Sequence, residues 1–127
     1  MANEPQGYPN RSLSKLKESA LNPGKVIYSS TINVDGTVKD LTADLTAIAV
    51  AGKGKPTFAS FSVISSETNL IVARYTQDGI DPVATTIGEP MYNKDKIYIQ
   101  EYYNLQRFKV TEEDGTYTTS IVITYYK

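Results

Sequence analysis

From residue 26 onward, apolar and polar side chains alternate at period two over several short stretches, the pattern of half-buried strands. Val26, Tyr28, Ile32 and Val34 share one face of the first stretch, with Ser30 among them. Asp35-Gly36 follows, a strong hairpin signal because both residues accept the backbone of a tight turn. Residues 38–45 fit either a second strand or a short helical turn. Residues 47–51, Ala-Ile-Ala-Val-Ala, read as a short buried strand, and 52–56 as a flexible loop. Residues 57–65, carrying Phe58, Phe61, Val63 and Ile64, read as a strand. A turn at 66–69 leads into a strand over 70–75, and 77–82 forms a loop. Ile97 and Ile99 alternate with Tyr98 and Gln100. Residues 105–111 read as one strand, with Phe108 and Val110 on one face and Arg107 and Lys109 on the other. After a turn at 112–115, residues 116–126 form the longest expected strand, roughly 33 Å at about 3.3 Å per residue. Its Tyr117, Ile121, Ile123 and Tyr125 share one face, and Thr118, Ser120, Val122 and Thr124 the other. Seven or eight short strands with a turn about every ten residues predict an all-β fold. The expected form is an antiparallel β-sandwich, jelly-roll or Ig-like.

The first 25 residues break this pattern. They hold Pro5, Gly7, Pro9, Pro23 and Gly24 and few large apolar groups. Ser12 is a candidate N-cap, and Leu13, Leu16 and Ala20 share a helical face, so a short helix is expected over 12–21. Asn22-Pro23-Gly24 ends it, since proline disfavours helix at the residue before it. With 127 residues the chain suits one domain. It therefore divides into an extended N-terminal arm, 1–25, and a β-sandwich domain, 26–127. The arm carries four basic residues (Arg11, Lys15, Lys17, Lys25) against Glu4 and Glu18, and the rest is slightly acidic.

Composition narrows the chemistry. There is no cysteine and no histidine. That excludes disulfides, thiolate catalysis, Cys-based zinc sites and the Ser-His triad. A net charge of -1 argues against a general nucleic-acid binder. No apolar run is long enough to span a bilayer, and no secretory signal is recognisable at the start, so the protein is expected to stay where it is made until assembled. No enzyme activity, cofactor or metal is expected.

Four clusters invite chemistry, and each has a plainer reading. Asp78, Asp81 and Glu89 supply oxygens for a calcium site but lack EF-hand spacing, and read as a turn. Glu112, Glu113 and Asp114 read as a solvated turn, since adjacent residues do not face one another across a sugar. Gly52-Lys-Gly-Lys-Pro56 lacks the spacing of a phosphate loop and reads as a mobile hairpin loop. Tyrosine is enriched, ten residues, with the pairs Tyr102-Tyr103 and Tyr125-Tyr126. On a strand one member of each pair faces inward and the other outward. The outward ones suit core rims, protein interfaces or sugar stacking.

Leu70-Ile-Val-Ala-Arg-Tyr-Thr-Gln-Asp-Gly-Ile-Asp-Pro82, Gly88-Glu-Pro-Met, Ile97-Tyr-Ile, Asn104-Leu-Gln-Arg-Phe108 and Ser120-Ile-Val-Ile-Thr-Tyr-Tyr126 together resemble the small β-rich virion proteins of tailed bacteriophages. The resemblance covers residues 56–126 and consists of turn and core signatures. It implies an accessory structural protein of the particle: head decoration or cement, head-fibre base, or a neck or tail component. The implied partner is the major capsid or connector protein, with the chain itself a homo-oligomer, a trimer favoured. Neither membrane nor direct nucleic-acid contact is implied, and the location is the virion, assembled in the host cytoplasm. The arm would then dock through Arg11, Lys15 and Lys17 on acidic patches and Tyr8, Leu13 and Leu16 in shallow pockets. The alternative function is a carbohydrate-binding sandwich presenting tyrosines.

Overall fold

A computed structural model describes residues 24–127, so the helix expected over 12–21 lies outside the described residues. Eight strands and two helices follow in the order β1 (Val26–Val34), β2 (Lys39–Asp40), α1 (Thr42–Val50), β3 (Phe58–Ser65), β4 (Ile71–Thr76), β5 (Glu89–Tyr92), β6 (Lys96–Gln100), α2 (Tyr102–Arg107), β7 (Lys109–Glu112) and β8 (Thr119–Tyr126). They form two four-stranded sheets, β1-β8-β3-β6 and β2-β7-β4-β5, and every pairing is antiparallel.

The order has a simple logic. First pairs with last (β1 with β8), second with seventh, third with sixth, and fourth with fifth. A single long antiparallel hairpin makes these four pairings. Rolling it up adds β8–β3 and β7–β4, which close the two sheets. This is the eight-stranded jelly roll, built of two Greek keys. The immunoglobulin arrangement, in which the first two strands are neighbours, is not the one adopted.

The core lies between the sheets. β8 alternates without a break: Thr119, Ile121, Ile123 and Tyr125 are buried and the residues between them are half-exposed. Ile121 stands opposite Ile32 on β1 and Val63 on β3. Phe61 of the first sheet stacks on Phe108, the residue that links α2 to β7, with ring centroids 4.7 Å apart, and Tyr75 of the second sheet stacks on Phe108 at 5.7 Å.

Three sequence expectations are corrected. Residues 47–51 are not a strand but the end of α1. Ala-Ile-Ala-Val-Ala alternates, yet Leu41, Leu45 and Ile48 recur at helical spacing, and burial follows that second period: Leu41 and Ile48 are buried while Val50 is exposed. Asp40 Oδ1 accepts the Thr42 N–H at 3.0 Å to start the helix, and Gly52, at φ +74, ends it by donating to the Ala49 carbonyl. Residues 105–107 belong to α2 rather than to one strand over 105–111. The chain must cross there from β6 to β7 in the other sheet, and the helical turn drops Leu105 into the core. The closing strand starts at Thr119 instead of 116, because Asp114 ties Thr116 and Tyr117 into its turn. The nine-residue β1 is therefore the longest strand.

Candidate interaction surface

The two outer faces of the sandwich differ. That of β2-β7-β4-β5 is roofed by the 77–88 loop. Thr76 Oγ1 donates to the Ile80 carbonyl at 2.5 Å, Lys109 Nζ reaches Asp81 at 2.7 Å, and Arg74 Nη1 donates to the Gly88 carbonyl at 3.2 Å. Thr76 and Thr111 are buried beneath this roof. Arg74 also grips Glu113 with two prongs, Nε to Oε1 at 2.7 Å and Nη2 to Oε2 at 3.2 Å, while Glu113 Oε1 accepts the Thr85 N–H at 2.8 Å.

The outer face of β1-β8-β3-β6 has no such cover among the described residues. Its register sets out rows across the sheet: Ser29, Thr124, Ser60 and Tyr98; then Thr31, Val122, Ser62 and Lys96; then Asn33, Ser120 and Ile64. At one end Phe58 also points outward. It is buried because Tyr98 stacks on it at 5.8 Å and Tyr126 meets it edge-on at 5.7 Å. Lys96 is the one formal charge in these rows, where an ordinary solvated face mixes charges of both signs. The face is thus flat, hydroxyl-rich and aromatic at one end.

The arm joins the body at this same end. Lys25 N–H donates to the Lys127 carbonyl at 3.2 Å and Lys127 N–H returns to the Lys25 carbonyl at 2.9 Å, extending the β1–β8 ladder to the last residue. Gly24, at φ +107, passes so close to the Lys127 carbonyl that a Cβ would lie 2.9 Å from that oxygen. The proposed contact residues Tyr8, Arg11, Leu13, Lys15, Leu16 and Lys17 lie outside the described residues.

The other candidates resolve into specific contacts. Asp78 Oδ1 accepts the Ile80 N–H at 3.0 Å, the expected side-chain turn, and Asp81 is committed to Lys109. Glu112, Glu113 and Asp114 do lie at a turn, but Glu113 is not solvated. It is the acid of the Arg74 clamp, and only 14% of its side chain is exposed. The 52–56 loop joins α1 to β3 rather than two strands, and Lys53 Nζ caps the Ile27 carbonyl at 3.0 Å. Tyr125 and Tyr126 divide inward and outward as expected of a strand. Tyr102 and Tyr103 sit instead on α2, where neighbours are about 100° apart. Tyr102 lies 5.3 Å beneath Lys55 Nζ, and the exposed Tyr103 accepts a hydrogen bond from Arg107 at 3.0 Å. Tyr92 and Tyr117 line a shallow groove of about 440 Å³ with Asn69 and Asp114.

Sequence reasoning missed the Arg74–Glu113 clamp, whose partners are 39 positions apart. The signal available was a charged Arg74 inside an otherwise apolar strand. The hydroxyl-rich first face was half visible, in the Ser120, Val122 and Thr124 side of the closing strand. No protein-family model matches the chain, and no curated protein matches it.

Proposed function

We propose that the chain is a virion structural protein of a tailed phage, a head decoration, cement or fibre-base component. It docks to the capsid or connector protein through its N-terminal arm and carries the sandwich as a homo-oligomer. The observation that supports this most is the junction: Gly24 and Lys25, through which the N-terminal segment joins the jelly roll, lie at the aromatic end of the sheet face that is unroofed among the described residues. A fold analogy adds an associational argument, because jelly rolls recur in viral capsids and also in lectins. An extended arm of 20 to 25 residues could provide much of a standard interface of about 1,600 Å².

The test is co-sedimentation with phage heads. The full chain is expected to pellet with them. A variant lacking residues 1–24 should stay in the supernatant while its β-sandwich still unfolds cooperatively. Leu13→Asp with Leu16→Asp should behave like the truncation. Truncated protein that still pellets would refute docking through the arm.

A second reading, a carbohydrate-binding module, rests on the Tyr92–Tyr117 groove with its Asn69 and Asp114 polar groups. It predicts glycan affinity that survives removal of the arm and falls in Tyr92→Ala.

A further inference from the structure

Among the described residues, strand β1 occupies an outer edge of the first sheet, with β8 as its one neighbour. An exposed edge presents unpaired backbone N–H and C=O groups, and proteins usually blunt it with charge, proline or a short strand. Residues Val26–Val34, Val-Ile-Tyr-Ser-Ser-Thr-Ile-Asn-Val, have none of these: the strand is nine residues long, uncharged and proline-free. Its one irregularity lies between Val26 and Tyr28, where Lys53 also takes the Ile27 carbonyl, so the stretch from Tyr28 to Val34 is regular. Burial tells the same story. The inward residues of β8 are fully buried, whereas Tyr28, Ser30 and Ile32, inward on β1, are only half-buried. That is the exposure left when a sheet stops one strand short.

We infer that this edge pairs with β1 of a second copy of the chain, antiparallel about a two-fold axis at Ser30, joining two sheets into one of eight strands. The sequence is self-complementary in that register. Ser29 falls opposite Thr31 of the other copy and Tyr28 opposite Ile32, both within the regular stretch that begins at Tyr28. Tyrosine against isoleucine is a favourable aromatic–β-branched cross-strand pair. Sliding the strands by one residue sets inward residues against outward ones. The pairing is isologous and closes at two copies, which suits a soluble dimer.

This inference does not depend on the chain belonging to a phage particle. Its test is the solution mass of the full chain by sedimentation equilibrium at tens of micromolar. The expected mass is twice the 14.0 kDa of one chain. Ser29→Lys with Thr31→Lys changes two exposed, outward side chains and sets lysines against lysines across the axis. It should give a monomer with an unchanged far-UV spectrum. A monomeric or trimeric wild type would overturn the inference. So would a dimer that survives the two lysines.

Discussion

Tyr125 of β8, fully buried, donates a hydrogen bond from its phenol to Asp44 Oδ2 at 2.6 Å, joining the last strand to the first turn of α1. Ser30 Oγ donates to the same oxygen at 2.5 Å. One carboxylate therefore anchors the helix beneath the β1–β8 pair. Burial pushes the Tyr125 phenol far above its usual value, and acceptance by Asp44 adds to the shift. A group whose folded-state pKa is raised contributes stability that is complete below its unfolded value of 10.0 and is lost as pH climbs above it. Unfolding free energy is thus expected to fall from about pH 10 upward. Tyr125→Phe should flatten that alkaline decline while costing about 1 kcal/mol at neutral pH. Urea titrations from pH 7 to 11 check both. An equally steep decline in the Phe variant would show that another group carries it.

The Arg74–Glu113 clamp has the opposite pH signature. The Arg74 guanidinium holds the Glu113 carboxyl below its usual 4.5, and the Thr85 N–H pulls the same way. A lowered carboxylate contributes stability above its unfolded value, and that contribution disappears as pH falls through the lowered folded value. Glu113→Gln should cost about 1–3 kcal/mol at pH 7, since it strands a partly buried arginine. The gap from wild type should begin to narrow below about pH 4.5 and close as pH falls through the lowered value, where wild-type Glu113 is protonated and neutral like the glutamine. A gap independent of pH would mean that the side chain acts by packing alone.

Ile121 is fully buried at the centre of β8, facing Ile32 and Val63 across the strands. Ile121→Ala should cost about 2–5 kcal/mol by chemical denaturation, as for other buried aliphatic truncations. Val122→Ala, one position on and facing outward, should cost under about 1 kcal/mol. Similar losses at both positions would contradict the alternation of β8.

Much of this was legible in the chain. Period-two alternation located β1, β3, β4, β6 and β8 because their faces are unequal: Ile121 and Ile123 meet the core while Ser120 and Thr124 meet the outside. Turn chemistry located the Asp78 turn and a bend at Asp35-Gly36, where a side chain bonds its own backbone two residues on, but the hairpin expected at Asp35-Gly36 does not form, because the chain crosses there from β1 in one sheet to β2 in the other. What was hidden depends on partners distant in sequence. The roof over the second sheet needs Arg74, Gly88 and Glu113 together, and no local pattern ties them. The choice between jelly roll and immunoglobulin order also lies in long-range pairing, β1 with β8, about which period-two alternation is silent. For the interaction surface, the sequence pointed to the arm, whereas the edge of β1 became visible once its neighbours were known.

Helix α1 offers a sharp test of which periodicity governs residues 47–51. On a strand, Ile48 and Val50 would share a face and be equally costly to truncate. On a helix they are about 200° apart. Ile48 is fully buried and Val50 is 83% exposed. Ile48→Ala should therefore cost about 2–5 kcal/mol, and Val50→Ala under about 0.5 kcal/mol, because the exposed valine also has the poorer helix propensity. Ala49→Pro separates the two readings further. In the last turn of a helix it removes a backbone donor and clashes with the preceding turn, a penalty of about 3 kcal/mol. Denaturation midpoints of the three variants check this. Equal losses at Ile48 and Val50 would return the segment to a strand.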